Sequence, residues 1–195
     1  IVLVIFSAII LLLSLLRTQF TDMQSFYIEE VSFCQDRLFC TGCKIYKRPD
    51  MDHCYFCNIC VEGHDHHCGV VGVCIGDRNF KYFLQFLSWV GIHNLTKAVS
   101  HICFYLSIND PIFKQKRFGL MIICVLVNIG SFMLFVGLAR HFYGEATEIN
   151  LSDDEKRYIQ TRKRFDKNYA YDRSDPEKNR ERLFGDNVIR WIFPI

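Results

Sequence analysis

The chain has 195 residues, 50% of them hydrophobic and 15% aromatic, high proportions for a soluble domain. Its formal charge of +2 decides nothing alone, but its distribution does. Between Arg17 and Lys81 there are seven basic and nine acidic residues, which speaks against a basic zinc-knuckle module that binds nucleic acid.

Residues 1–16 (IVLVIFSAIILLLSLL) carry no charge and only two serines. A helix that crosses a bilayer needs about 20 apolar residues at roughly 1.5 Å each, so this run is a few short. The chain begins with Ile, and the run has neither a basic leader nor an AxA-type cleavage site. It reads as a transmembrane helix cut at its start, in preference to a signal sequence.

Residues 17–39 form a mixed linker, in which Cys34 reads as a free thiol. Residues 40–80 are dense in Cys, His and Gly and show no apolar period of helix or strand. A segment that cannot bury an apolar face needs another source of folding energy, and metal binding supplies it. Eight of the ten cysteines lie between Cys34 and Cys74, together with His53, His64, His66 and His67. Cys40 with Cys43, and Cys54 with Cys57, make C-x2-C pairs, the knuckle that delivers two ligands to tetrahedral zinc. Cys60, Cys74 and the histidines can complete two interleaved Cys3His sites, with His64 as a solvent-facing neighbour. Asp65, His66 and Cys68 are then left over, and they have the chemistry of an orienting carboxylate, a base and a nucleophile.

Residues 83–106 read as a transmembrane helix that is apolar overall but holds Gln85, Trp89, His93, Lys97 and His101 on one four-residue repeat, hence on one helical face. Such a face avoids lipid, so hydrogen bonding to other helices is expected. Residues 107–117 read as a loop and 118–140 as a further span, with no charge from Phe118 to Leu138. Cys103 and Cys124 are expected to pack within these helices. The tail, 141–195, is strongly charged up to Arg182. Of the Lys and Arg residues, seven lie between Arg17 and Lys81, three in the loop and twelve from Arg140 onward. The positive-inside rule puts the cysteine-rich segment and the tail in the cytosol and the loop on the lumenal or extracellular side. The cytosol is reducing, which favours zinc over disulfides.

The run C-x2-C-x9-H-C-x2-C-x2-C-x4-D-H-H-C-x5-C-x4-N from Cys40 to Asn79 resembles the cysteine-rich domain of DHHC palmitoyltransferases. That resemblance implies one zinc on Cys40, Cys43, His53 and Cys60 and a second on Cys54, Cys57, His67 and Cys74. It also implies that Cys68 carries the acyl group, His66 is its general base and Asp65 orients His66. Lys47 and Pro49 bracket the place where the family has a basic residue followed by proline, and Lys47 could meet a phosphate of coenzyme A. In the tail, Tyr171-Asp172, Asn179 and Phe184-Gly185 resemble the family's C-terminal motif. The expected fold is an α-helical integral membrane protein, a transmembrane bundle with an inserted cytosolic zinc domain of loops and short hairpins.

The implied reaction is transfer of a long-chain acyl group from palmitoyl-CoA or a similar acyl-CoA, through a Cys68 thioester, to membrane-proximal cysteines of protein substrates. The bilayer is the other implied partner, in the Golgi, endoplasmic reticulum or plasma membrane, with the active site cytosolic. The chain departs from the family in two places. Gly69 and Val70 replace Pro-Trp after Cys68, and Glu145–Glu148 keeps only the final Glu of Thr-Thr-x-Glu. A zinc scaffold with impaired catalysis is the alternative these departures allow.

Overall fold

The computed structural model describes residues 2–23, 39–47, 51–147 and 176–194. Cys34, Pro49, Glu148 and Tyr171-Asp172 lie outside these residues, as do the side chains of 145–147. Three antiparallel hairpins are framed by helices: β1 (Phe39–Cys40) with β2 (Ile45–Tyr46), β3 (Met51–Cys54) with β4 (Ile59–Glu62), and β5 (His66–Cys68) with β6 (Val73–Ile75). The long helices are α1 (Val2–Phe20), α2 (Phe80–Leu106) and α3 (Pro111–Thr147), followed by α4 (Pro176–Phe184) and the short α5 (Val188–Ile192).

The hairpins repeat. Cys40 pairs with Ile45, Cys54 with Ile59 and Cys68 with Val73, so each unit begins 14 residues after the last. Lys44 (φ 56°), Asn58 (φ 54°) and Gly72 (φ 79°) keep the same interval and put a left-handed residue just before each returning strand. In the third unit the position of Cys43 and Cys57 is taken by Val71, so Cys68 has no second knuckle cysteine.

Helix α1 is inverted in polarity relative to a helix of a soluble domain. In α1 the buried side chains are Ser7, Ser14 and Thr18, whereas Leu3, Ile9, Leu12 and Leu13 are exposed. A surrounding hydrocarbon favours this arrangement, because polar groups must find partners inside while leucine loses nothing outside. Two helical stretches, Val2–Phe20 and Pro111–Gly144, are long and apolar enough to cross a membrane. Helix α2, which packs against both α1 and α3, falls short of that test because of its polar face.

That face finds partners in part, and not only on helices: Gln85 Oε1 is buried without a hydrogen-bond partner among the described residues. His93 Nδ1 is 2.9 Å from Ser7 Oγ, and Thr96 Oγ1 is 3.2 Å from the same oxygen. Gln85 Nε2 donates to the carbonyls of Arg190, Trp191 and Phe193 at 2.8–3.1 Å, and Trp89 Nε1 donates to Ile192 O at 2.8 Å. Gly91 lets α3 approach, since a Cβ there would stand 3.1 Å from Val136 Cγ2.

The loop between α2 and α3 is shorter than the expected 107–117. Asp110 Oδ1 accepts from the backbone N–H groups of Ile112 (2.8 Å) and Phe113 (3.2 Å), and Pro111 follows it as the first helical residue. This cap starts α3 seven residues before the apolar run at Phe118. At the other end, helix continues to Thr147.

Candidate active site

Asn79 joins the third hairpin to the helices. It is fully buried, donates from Nδ2 to Thr18 O (3.1 Å) and Cys74 O (2.9 Å), and accepts from Gly76 N (3.0 Å). Gln19 Nε2 adds a bond to Val71 O at 2.9 Å. Gly76 is obligatory in this crossing, because a Cβ would lie 2.7 Å from Glu62 O. Behind the hairpin, Val71 and Ile75 are buried with Phe80, Phe83, Leu84 and Leu87 of α2 and Leu183 and Phe184 of α4. Arg182 Nη1 donates to Asp77 Oδ2, a second tie between α4 and this region.

Two groups of ligand atoms converge within the hairpins. Cys40, Cys43, His53 and Cys60 form one, and Cys54, Cys57, His67 and Cys74 the other, each with its ligand atoms within 4.8 Å of one another. His53 Nδ1 lies 3.5, 3.3 and 3.8 Å from the sulfurs of Cys40, Cys43 and Cys60. His67 Nδ1 lies 3.6, 3.4 and 3.8 Å from those of Cys54, Cys57 and Cys74. Tetrahedral bonds of about 2.3 Å to sulfur and about 2.0 Å to nitrogen separate neighbouring ligand atoms by about 3.5–3.8 Å. Both groups fit a metal ion of that kind. Burial pushes the Cys60 and Cys74 thiols above the ordinary range, a cost that a bound cation reverses.

Cys68 belongs to neither group, and it is the one cysteine from Cys40 to Cys74 so placed. It is half-buried against the apolar cluster. His66 Nδ1 is 2.6 Å from Asp65 Oδ2, and this bond raises the imidazole above its ordinary value against the lowering effect of burial. The Cys68 thiol is a further hydrogen-bonding neighbour of the ring. With Nδ1 engaged by the carboxylate, Nε2 is the nitrogen left for that thiol. The ring is also held from both sides by residues the sequence did not single out. Phe142 of α3 stacks on it (centroids 5.5 Å, 18° between planes) and Phe83 of α2 meets it edge-on at 5.5 Å.

The remaining expected residues are placed differently. Lys47 lies 3.9 Å from Asp52 Oδ1 with 18% of its side chain exposed. His64 is not solvent-facing as expected: its Nε2 is buried without a hydrogen-bond partner, and burial lowers its pKa. Val70, where the family has tryptophan, is 89% exposed at the hairpin tip.

The family model described as DHHC palmitoyltransferase matches residues 33–155. Among curated relatives, the chain is 36% identical over 97 residues to Palmitoyltransferase ZDHHC8 of Drosophila melanogaster, covering 50% of this chain and 10% of that protein. It is 52% identical over 50 residues to Protein S-acyltransferase 8 of Arabidopsis thaliana, covering 26% and 12%. It is 39% identical over 67 residues to Palmitoyltransferase ZDHHC14 of Homo sapiens, covering 33% and 14%. The chain thus spans under a third of the length of these relatives.

Proposed function

The chain belongs to the DHHC palmitoyltransferase family, and from that premise we propose that it is a protein S-acyltransferase that carries the acyl group on Cys68. One observation supports this most: the 2.6 Å Asp65–His66 hydrogen bond beside the one cysteine of the cluster that neither metal group claims.

In this reading His66 Nε2 takes the proton of Cys68 Sγ, and the thiolate attacks the carbonyl carbon of a long-chain acyl-CoA. The carbon–sulfur bond to coenzyme A breaks, and its thiolate leaves with the proton from His66. A membrane-proximal cysteine of a protein substrate, its proton taken by His66, then attacks the carbonyl carbon of the Cys68 thioester; the bond to Cys68 Sγ breaks and its thiolate recovers the proton from His66. Asp65 keeps the Nδ1 proton in place and stabilises the imidazolium that forms within each step. One thioester replaces another, so no energy source is consumed.

Zinc in both Cys3His groups supplies the folding energy that the hairpins lack. The helices span an endomembrane or plasma membrane as a bundle that receives the acyl chain, with the hairpins and tail cytosolic. Lys47, 3.9 Å from Asp52 Oδ1, has donors left for a coenzyme A phosphate, and an unchanged KM for acyl-CoA in Lys47→Gln would remove it from the site.

The central test is incubation with palmitoyl-CoA. A hydroxylamine-sensitive label should appear on Cys68, and Cys68→Ser should abolish both label and transfer. A label that persists in Cys68→Ser overturns the assignment. Zinc-loaded protein that takes no label would favour the scaffold reading, which the Gly69-Val70 departure supports.

A further inference from the structure

Three basic side chains from three separate elements meet near the junction of the helices and hairpins. Arg17 of α1 places its guanidinium carbon 6.0 Å from the Tyr82 ring centroid, and Lys81 places its Nζ 5.4 Å from the same centroid. The backbone of Arg190 in α5 is held next to α2, its carbonyl accepting from Gln85 one turn beyond Lys81, and its charge lies within electrostatic reach of Lys81. Nearby arginines are neutralised: Arg78 by Glu62, Arg180 by Glu177 and Arg182 by Asp77. Among the described residues, Arg17, Lys81 and Arg190 have no acidic partner.

Burial, and then Arg190 and Arg17, hold Lys81 below the ordinary lysine value, so its ammonium is partly desolvated and repelled by two like charges. Such a cluster is relieved when an anion of matching charge sits among the cations. Arg17 also borders a surface cavity of about 400 Å³ whose other walls are Leu13, Leu16, Phe20 and Thr21. Cationic charge beside an apolar groove is complementary to an amphiphile with an anionic head.

We propose that Arg17, Lys81 and Arg190 bind the phosphate-monoester headgroup of an anionic lipid, with an acyl chain along the Leu13–Phe20 side of α1. A monoester carries close to two negative charges and three strong acceptors, which suits three cations better than a zwitterionic head does. Retention of a lipid headgroup requires no acyl transfer by Cys68. Lipid binding can therefore be read whether or not the cysteine takes a label.

The test uses the full zinc-loaded chain in detergent, titrated with phosphatidic acid and with phosphatidylcholine by native mass spectrometry. Phosphatidic acid should be retained in preference. Arg17→Gln, Lys81→Gln and Arg190→Gln should each weaken it about fivefold, as loss of one basic side chain at a membrane surface does, with phosphatidylcholine unaffected. Zinc content serves as the folding control, and Arg190→Lys, which keeps the charge, should retain binding. Unchanged phosphatidic acid affinity in the three glutamine variants overturns the proposal. So does equal retention of inorganic phosphate, which would show that no lipid is required. Displacement by coenzyme A, with a matching rise in KM for palmitoyl-CoA in the variants, would assign the cations to the acyl donor instead.

Discussion

His66 and His67 are adjacent in the chain and alternate across β5, so one ring turns to Asp65 and the aromatic pair while the other turns to three sulfurs. Their variants should therefore separate. His66→Ala is expected to slow Cys68 labelling by about 10²–10⁴-fold, the range for loss of a positioned general base, with zinc retained. His67→Ala should release one metal equivalent and disorder the second and third hairpins. Labelling rates and metal analysis of the two proteins decide this, and like behaviour would refute the division of roles. Asn79 is the other residue of consequence at this scale. Asn79→Ala removes three buried hydrogen bonds and leaves their partners unsatisfied, at a cost on the order of 3 kcal/mol in denaturant unfolding.

The hairpins are too small to bury a core of their own. The second cluster behind them consists of Met23, Cys54, Val61 and Cys74, two of which belong to a group that could hold a metal ion. Close to two zinc equivalents per chain are expected, and chelation should unfold this region while leaving the helical circular-dichroism signal largely intact. A folded, active protein with no metal would contradict that account. The turn after Cys68 is less constrained. A Cβ added at Gly69 meets nothing within 4 Å, so Gly69→Pro with Val70→Trp should keep its zinc and change turnover or acyl-chain preference. Steady-state kinetics across acyl-CoA lengths test this, and identical profiles would show that the turn does not touch the acyl group.

Across the whole molecule, the hairpin that carries Cys68 rests on side chains more than a hundred residues away. Leu183 and Phe184 complete the cluster under Val71 and Ile75, Gly185 (φ 74°) closes α4, and Trp191 Nε1 donates back to Gly185 O at 2.9 Å. Phe184→Ala should cost about 3–5 kcal/mol, as a large aromatic lost from a core does. It should also lower Cys68 labelling without lowering zinc content. Thermal unfolding together with the label and metal assays separates this effect from simple loss of the hairpins.

The C-x2-C knuckles and the supply of ligands for two Cys3His sites were legible in the sequence because a knuckle is local; the division of the ligands between two sites came from the family resemblance, and the folded hairpins bring the same two sets of four together. The apolar runs were legible because a bilayer requires length and composition rather than particular contacts. The cap that starts α3 at Asp110-Pro111 was also written locally, although the charges of Lys114, Lys116 and Arg117 masked it as loop. Tertiary structure alone decided that Phe83 and Phe142 hold the His66 ring. It also decided that Gln85 and Trp89 clasp the 190–193 backbone, and that α1 turns its hydroxyls inward. Those contacts join residues far apart in the chain, and nothing in the local pattern of an aromatic or a glutamine specifies which distant backbone it will meet.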